Sequence, residues 1–363
     1  MAESLDPEIL RRVRSQLVSW YAHAHRDLPW RKSRDPYAVW ISEIMLQQTR
    51  VETVVDYFNR WMTRFPTVNE LASADINDVL VVWQGLGYYS RARNLHAAAN
   101  EIVDRHGGVF PSDVGSIAAL KGIGRYTTGA IASIAFGQEV PLVDGNVARV
   151  FSRLLEIDLD PKSTAAARRY WAIAELLVKG EKPGELNQAL MELGATVCTP
   201  RQTRCGRCPV ADDCRALAKG RVAELPPKAK KTAQREELRV AIVARDGAGR
   251  VWVARRAERG LLGGLWEFPM VPAEGAAVAV DGAMSAVGAG SGRALPSFVH
   301  VFSHIRMTVI PVLVEGAIRF GAELDGYEQF AWVSPAELEA LPVSRLMRKV
   351  REVVEAGGQT ALL

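Results

Sequence analysis

The chain reads as an all-α domain followed by a smaller α/β domain, and three observations lead there. Apolar residues recur at three- and four-residue spacing through residues 5–215, the pattern of amphipathic helices. Strand-like alternation is scarce until Leu238 and frequent after it. Between the two textures, residues 218–236 (AKGRVAELPPKAKKTAQRE) are charged and carry the Pro226-Pro227 pair, which suits a linker. A length of 363 residues accommodates two or three domains. The expected division is 1–216 helical, 217–237 a basic linker, and 238–363 α/β.

Composition excludes several classes. With 48% hydrophobic and 24% charged residues the chain is neither disordered nor fibrous. No run of eighteen apolar residues exists, so no membrane association is expected. The opening MAESLDPEIL is acidic and lacks an apolar stretch, so no secretory signal is expected. A cytoplasmic location follows, where cysteines seldom form structural disulfides. The net charge of +4 hides an asymmetry: residues 201–235 hold ten Lys/Arg against three acids, a local +7 that leaves −3 for the rest. A polyanion would therefore meet a local patch, unless the charge belongs to a solvated linker.

In the first domain, Ile9, Val13, Leu17 and Trp20 mark one helix face, while Pro66, Pro111, Pro141 and Pro200 punctuate the series. Ser112 is expected to cap a short helix. Leu120-Lys121-Gly122-Ile123-Gly124 is a glycine-flanked turn, and Tyr126–Phe136, with small residues for close packing, is a second helix. Gly122 and Gly124 let the backbone approach a ligand, and the amides opening the next helix suit a phosphate. Val143-Asp144-Gly145-Asn146-Val147 opens a further helix, with Asp144 as its cap. Glu43 lies in an apolar helical run with Trp40, Ile41, Ile44, Met45 and Leu46. It is either a partly exposed helix charge or a desolvated acid with a raised pKa. All four cysteines, Cys198, Cys205, Cys208 and Cys214, fall within seventeen residues, which suggests a metal site.

In the second domain LRVAIVAR, RVWVARR, FVHVFSHIRMTVIPVLV and FAWVS read as strands. Pro335 opens a helical pattern, and residues 345–356 read as a terminal helix. Residues 273–293, rich in Ala, Gly and Val, show little pattern of either kind.

The glycine-flanked turn resembles the helix-hairpin-helix element of DNA-repair glycosylases. The cysteine spacing, with six, two and five residues between ligands, resembles the 4Fe–4S loop closing the endonuclease III and MutY glycosylase domains. LPWRKSRDPYAVWISEIMLQQTRV (28–51) and GLGYYSRARNL (85–95) resemble MutY-type adenine DNA glycosylases, and the likeness runs over residues 10–215. The resemblance implies a helix-hairpin-helix glycosylase acting as a monomer in bacterial base excision repair, at the nucleoid. Its partner would be double-stranded DNA with A:8-oxoguanine or A:G mispairs. Its cofactor would be a 4Fe–4S cluster held by the four cysteines, structural or DNA-positioning, with Arg201, Arg204 and Arg207 facing phosphates.

The same resemblance assigns roles. Glu43 would protonate adenine N7, and Asp144 would stabilise the oxocarbenium sugar. Asn146 and Tyr126 would assist by hydrogen bonds. Relatives with lyase activity carry Lys where Tyr126 stands. Tyrosine forms no imine, so hydrolysis without strand cleavage is expected. Gln48 and Tyr88 match wedge residues that enter the base stack when adenine is flipped out. Arg26, Leu28, Trp30, Arg31 and Gln188 would wall the adenine pocket. In the second domain RGLLGGLWEFP (259–269) resembles the approach to a Nudix nucleotide pocket. The glutamate-rich metal helix that should follow is missing, since residues 270–290 hold only Glu274 and Asp281. A binding role is therefore expected, with Phe302, Ser303 and His304 as the loop that recognises 8-oxoguanine. An endonuclease III-like pyrimidine glycosylase/lyase and a non-catalytic, metal-containing DNA-binding protein are the alternatives.

Overall fold

A computed structural model describes residues 6–228, 233–315, 318 and 324–356, with the backbone alone for 276–279 and Glu315. Lys230 and Lys231 of the basic window lie outside the described residues. The helices before the sheet region are α1 (Pro7–Ala24), α2 (Pro36–Leu46), α3 (Val51–Arg64), α4 (Val68–Ser73), α5 (Ile76–Trp83) and α6 (Ser90–His106). They continue with α7 (Val114–Ala119), α8 (Arg125–Ile134), α9 (Gly145–Leu154), α10 (Thr164–Leu177), α11 (Pro183–Thr196) and α12 (Arg215–Ala218). Next come β1 (Arg235–Ala244), β2 (Val251–Arg256), β3 (Trp266–Glu267), β4 (Met270–Pro272), α13 (Ala276–Val287) and β5 (Ser291–Ala294). The chain ends with β6 (Phe298–Val301), β7 (Ile305–Glu315), β8 (Tyr327–Val333), α14 (Pro335–Ala340) and α15 (Arg345–Ala356). Among the described residues no helix is long and apolar enough to cross a membrane.

Two compact units result. One comprises residues 1–73 and 94–230; the other comprises 74–93 and 231–363, so α5 and the loop after it group with the sheets. In the helical unit, Val13 and Leu17 of α1 are fully buried beside Phe151, Tyr170, Leu186 and Leu190. Caps set the helix starts. Asp35 accepts from the amides of Tyr37 and Ala38, with Pro36 at the first position of α2. The cap of α7 is Asp113, whose carboxylate accepts from Ser116 N, and not Ser112 as expected. Both residue types cap well, and the choice between adjacent ones is set by where the chain bends. The second hairpin helix starts at Arg125 with Gly124 at its cap.

In the other unit β4-β1-β7-β5 forms one sheet, with β6 also paired to β7, and β3-β2-β8 forms a second. β1 and β7 run parallel, so their connection must cross over; among the described residues every other pair of these strands is antiparallel. Alternation along β1 sends Val240, Ile242 and Ala244 to a core with Ala283, Met284 and Val287 of α13. It sends Ala241 and Val243 to a core with Leu346, Met347, Val350 and Val354 of α15. A sheet covered on both faces is the α/β architecture the sequence predicts. The Ala-rich stretch 273–293, where no pattern was legible, holds α13 and β5. Alanine stabilises a helix without marking its buried face, so periodicity is weak there. Gly288, in the left-handed region at φ 61°, ends α13.

Candidate active site

One cavity of about 560 Å³ in the helical unit gathers residues from distant stretches of sequence. Arg26, Leu28, Trp30, Arg31, Glu43, Gln48, Tyr126, Asp144, Asn146 and Gln188 all line it, with Met191, Glu192 and Ala195 of α11. Its chemistry begins with where two carboxylates are held. Glu43 falls at the centre of α2, in a run from Tyr37 to Met45 that is buried throughout. It is 5% exposed, and Tyr126 donates its hydroxyl to Oε2 at 2.5 Å. Burial pushes the Glu43 carboxyl up to about 7, opposed by the Tyr126 hydrogen bond and reinforced by the charge of Asp144. Tyr126 is itself pushed well above the usual tyrosine range, by burial first and then by the two carboxylates, so it stays a donor.

Asp144 is the N-cap of α9. Its Oδ1 accepts from Val147 N at 2.7 Å and its Oδ2 from Asn146 Nδ2 at 2.9 Å. Burial raises its pKa, while those bonds hold it down. Capping and a site role are therefore compatible: the cap fixes the carboxylate, and each oxygen keeps acceptor capacity for the cavity. The Asn146 amide is oriented from its other end, since Arg149 Nη2 donates to Asn146 Oδ1 at 2.8 Å. Arg149 also donates to Gly194 O and, through Nε, to Cys198 O, both at 2.8 Å. Gly194 is required where it stands, because a Cβ there would meet Asn146 at 2.6 Å.

Another part of the lining is an ion triad. Glu192, 0% exposed, accepts from Arg26 Nε and Nη2 and from Arg31 Nη2, all at 2.8 Å. Burial alone would raise Glu192; the two guanidiniums overcome it and bring it to about 2. Gln188 is anchored by Tyr21, whose hydroxyl donates to its Oε1 at 3.0 Å. Sequence reasoning missed Glu192, Met191 and Arg149. The first two were signalled by helical spacing, since residues 188, 191, 192 and 195 share a face with Gln188.

The remaining sequence-predicted residues lie elsewhere. Gly122 (φ 76°) occupies the left-handed region in the hairpin turn, and a Cβ there would strike Asn94. Neither Gly122, Gly124 nor Lys121 lines the cavity. Gln48 is not helical: α2 ends at Leu46, and Gln48 is exposed with φ 58°. In the second unit Tyr88 is likewise exposed, with φ 49°. Both wedge candidates are thus non-glycine residues in a costly conformation, a kind of strain that tends to mark functional positions.

Phe302, Ser303 and His304 form the turn between β6 and β7, closed by Phe302 N donating to Ile305 O at 2.8 Å. Ser303 and His304 are exposed. Ser303 Oγ and the Tyr88 hydroxyl share a 2.5 Å hydrogen bond, which joins the loop 84–89 to this turn. Glu267 of the Trp-Glu-Phe run accepts from Arg256 Nη1 at 2.8 Å and from Tyr327 at 2.6 Å, 1% exposed. Its local bonds make it a structural anchor of β3.

Cys198, Cys205, Cys208 and Cys214 line one small cavity with Arg153, Val197, Ala211, Leu217 and Val222. Among the described residues no group of three or more His, Cys, Asp or Glu is drawn together closely enough to make a preformed metal site. The sulfurs nonetheless feel each other: burial, and then the neighbouring cysteines, push the Cys208 thiol up to about 11. Arg153 Nη1 donates to Cys198 Sγ at 3.3 Å. Four soft donors around an apolar space, with a cation at the edge, fit a thiolate-held iron–sulfur group.

Residues 41–175 match the HhH-GPD superfamily of base excision DNA repair proteins, and residues 240–353 match the NUDIX domain. The chain is 38% identical to an adenine DNA glycosylase of Rattus norvegicus, over 94% of this chain and 78% of that one. It is 38% identical to one of Homo sapiens, over 94% and 74%. It is 32% identical to one of Schizosaccharomyces pombe, over 95% and 90%. Among solved structures, a thermostable thymine-DNA glycosylase superposes with a TM-score of 0.53 at 27% identity, covering 58% of this chain and 98% of that one.

Proposed function

The chain belongs to the adenine DNA glycosylases of base excision repair, and from that premise we propose that it hydrolyses the N-glycosidic bond of adenine opposite 8-oxoguanine or guanine in duplex DNA. The observation that carries this reading is a pair of carboxylates with different surroundings in one cavity, Glu43 buried and Asp144 half-buried. Glu43, pushed up to about 7, is the general acid. Tyr126 donates to its Oε2, so the proton to be delivered sits on Oε1 and goes to adenine N7. Asp144, held by hydrogen bonds from Val147 N and Asn146 Nδ2, faces the oxocarbenium sugar that develops as the base leaves. Asn146 and, behind it, Arg149 hold that carboxylate in place. Leu28 and Trp30 with the Arg26–Glu192–Arg31 triad form a stiff wall for the flipped base, and Gln188 contacts its edge. Adenine must leave the stack at a cost of a few kcal/mol, offset by Gln48 and Tyr88 entering it. The lysine that would make a lyase is replaced by Tyr126, so the products are free adenine and an abasic site.

The four cysteines would hold a 4Fe–4S cluster, which when bound supplies a closed, rigid loop and no open metal position for hydrolysis. Arg201, Arg204 and Arg207 of that loop would then face DNA phosphates. Metal analysis should find about four irons per chain, the number such a cluster contains; stoichiometric zinc would exclude it.

Ser303 and His304 read the opposite base. 8-Oxoguanine differs from guanine by N7–H and O8, groups that a hydroxyl and an imidazole address. The protein acts as a monomer on each mispair. The test is single-turnover excision from A:8-oxoguanine, A:G and A:T duplexes, followed by alkali to reveal abasic sites. Adenine release in that order of preference is expected. Excision of pyrimidines, or strand cleavage without alkali, would overturn the reading.

A further inference from the structure

Helix α15 is divided lengthwise. Leu346, Met347, Val350 and Val354 are buried in the core, and the other side is cationic. Arg351 is spent on Glu339 and Glu355. Arg345, Arg348 and Lys349 are not: among the described residues none of the three has a carboxylate within ion-pair distance. Yet they lie together. With Gln84, Gly85 and Glu352 they line a groove of about 220 Å³. The carbonyl of Gln84, with its amide turned to satisfy both ends, accepts from Arg348 Nε at 3.2 Å and so aims the guanidinium.

The position of this groove within its unit matters. Gln84 and Gly85 open the loop that carries Tyr88. Lys349 Nζ lies 5.7 Å over the ring of Phe298, at the start of the strand that carries the Phe302-Ser303-His304 turn. His300 of the same strand is held below the usual histidine range by burial, and then by the charges of Lys349 and Arg345. The three cations therefore flank both segments that meet in the Tyr88–Ser303 hydrogen bond.

We infer that Arg345, Arg348 and Lys349 form a phosphodiester-binding groove for the DNA strand that carries the base opposite adenine. The inference rests on the reading of Ser303 and His304 as the contacts to that base. A base held at Ser303 brings its own backbone past the adjoining surface. Arg345 is separated from Arg348 and Lys349 by about 4.5–6 Å along the helix, close enough to share one phosphate or two successive ones. Among the described residues Glu352 is the one carboxylate lining the groove, so the groove keeps an excess of two positive charges.

The experiment measures equilibrium binding of the full protein to a duplex with a non-cleavable adenine analogue opposite 8-oxoguanine, across a salt series. Each phosphate neutralised contributes about −0.9 to the log–log slope. R345A with K349A should reduce the slope by about 1–2 and weaken binding at low salt about tenfold to a hundredfold. The preference for 8-oxoguanine over guanine should stay at its wild-type value, because phosphate contacts carry no base information. R345K with K349R should keep the wild-type slope. An unchanged slope in the alanine pair would overturn the proposal, as would an equal loss in the charge-conserving pair, which would signal a displaced helix. Failure of the base-reading premise is a separate result: S303A with H304A would leave the 8-oxoguanine preference intact, whatever the slope does.

Discussion

The cavity of the helical unit and the β6–β7 turn of the other unit are built on opposite terms. Glu43 is buried and Tyr126 and Asp144 are half-buried, each fixed by hydrogen bonds, with pKa values displaced by desolvation. Ser303 and His304 are exposed, and the turn is fixed mainly through its backbone. The difference follows from the tasks. Proton delivery and charge stabilisation need fixed groups in a dry site. Reading a base edge needs groups that reach out to it and displace its water.

The largest test of this contrast removes the proton. Glu43→Gln keeps the shape and the Tyr126 contact, and single-turnover excision should fall by about 10²–10⁴, the usual worth of a general acid. Asp144→Asn should cost about 10²–10³, as for loss of an electrostatic partner. Wild-type rates should decline as pH rises through about 7, because the acid must be protonated. That alkaline limb should vanish in the residual activity of Glu43→Gln. Turnover within a few-fold of wild type would sink the assignment.

Stability sharpens the same point. The folded state holds the Glu43 proton more tightly than the unfolded chain. Glu43 is therefore neutral and harmless below pH 4.5, and its burial destabilises the fold increasingly as pH rises to about 7. At about 1.4 kcal/mol per unit the penalty reaches roughly 3 kcal/mol above pH 7. Glu43→Gln should be more stable than wild type in urea at pH 8, with the gain fading by pH 5. An equal gain at both values would mean that the carboxylate is not desolvated.

Arg149→Gln probes how the site is held. It breaks the bonds to Asn146, Gly194 and Cys198 and should slow excision by about tenfold to a hundredfold, since charged hydrogen bonds contribute about 1.5–3 kcal/mol each. The alkaline limb set by Glu43 should persist, which separates a positioning role from loss of the acid. On the exposed side the effect falls on discrimination and not on the chemical step. Ser303→Ala with His304→Ala should lower the A:8-oxoguanine to A:G ratio of excision efficiency by about tenfold to a hundredfold, from two hydrogen bonds of 0.5–1.5 kcal/mol. An unchanged ratio would make Phe302-Ser303-His304 only a turn.

Much of this was legible in the chain. The change of periodicity at Leu238 located the α/β region, and the strands begin at Arg235. Glu43 stood out as a charge in an apolar run, and Asp144 as a cap. Less could be read where residues carry no pattern, as in Ala276–Val287, or where several residue types serve one local need, as at Ser112 and Asp113.

Local rules and residue types are properties of the sequence itself. They determined the two domain textures, the four clustered thiols, the missing Nudix acids and the two carboxylates in unlike surroundings. What the tertiary structure alone decided is which groups meet. Glu192 of α11 pairs with both Arg26 and Arg31, Tyr126 comes within 2.5 Å of Glu43, and Arg149 ties Asn146 to the backbone of Cys198. Ser303 pairs with a tyrosine 215 residues away. These pairings set the charge and orientation of the groups they join. No spacing rule encodes them, because a buried polar side chain is satisfied by whichever partner the packing brings within reach, however distant along the chain.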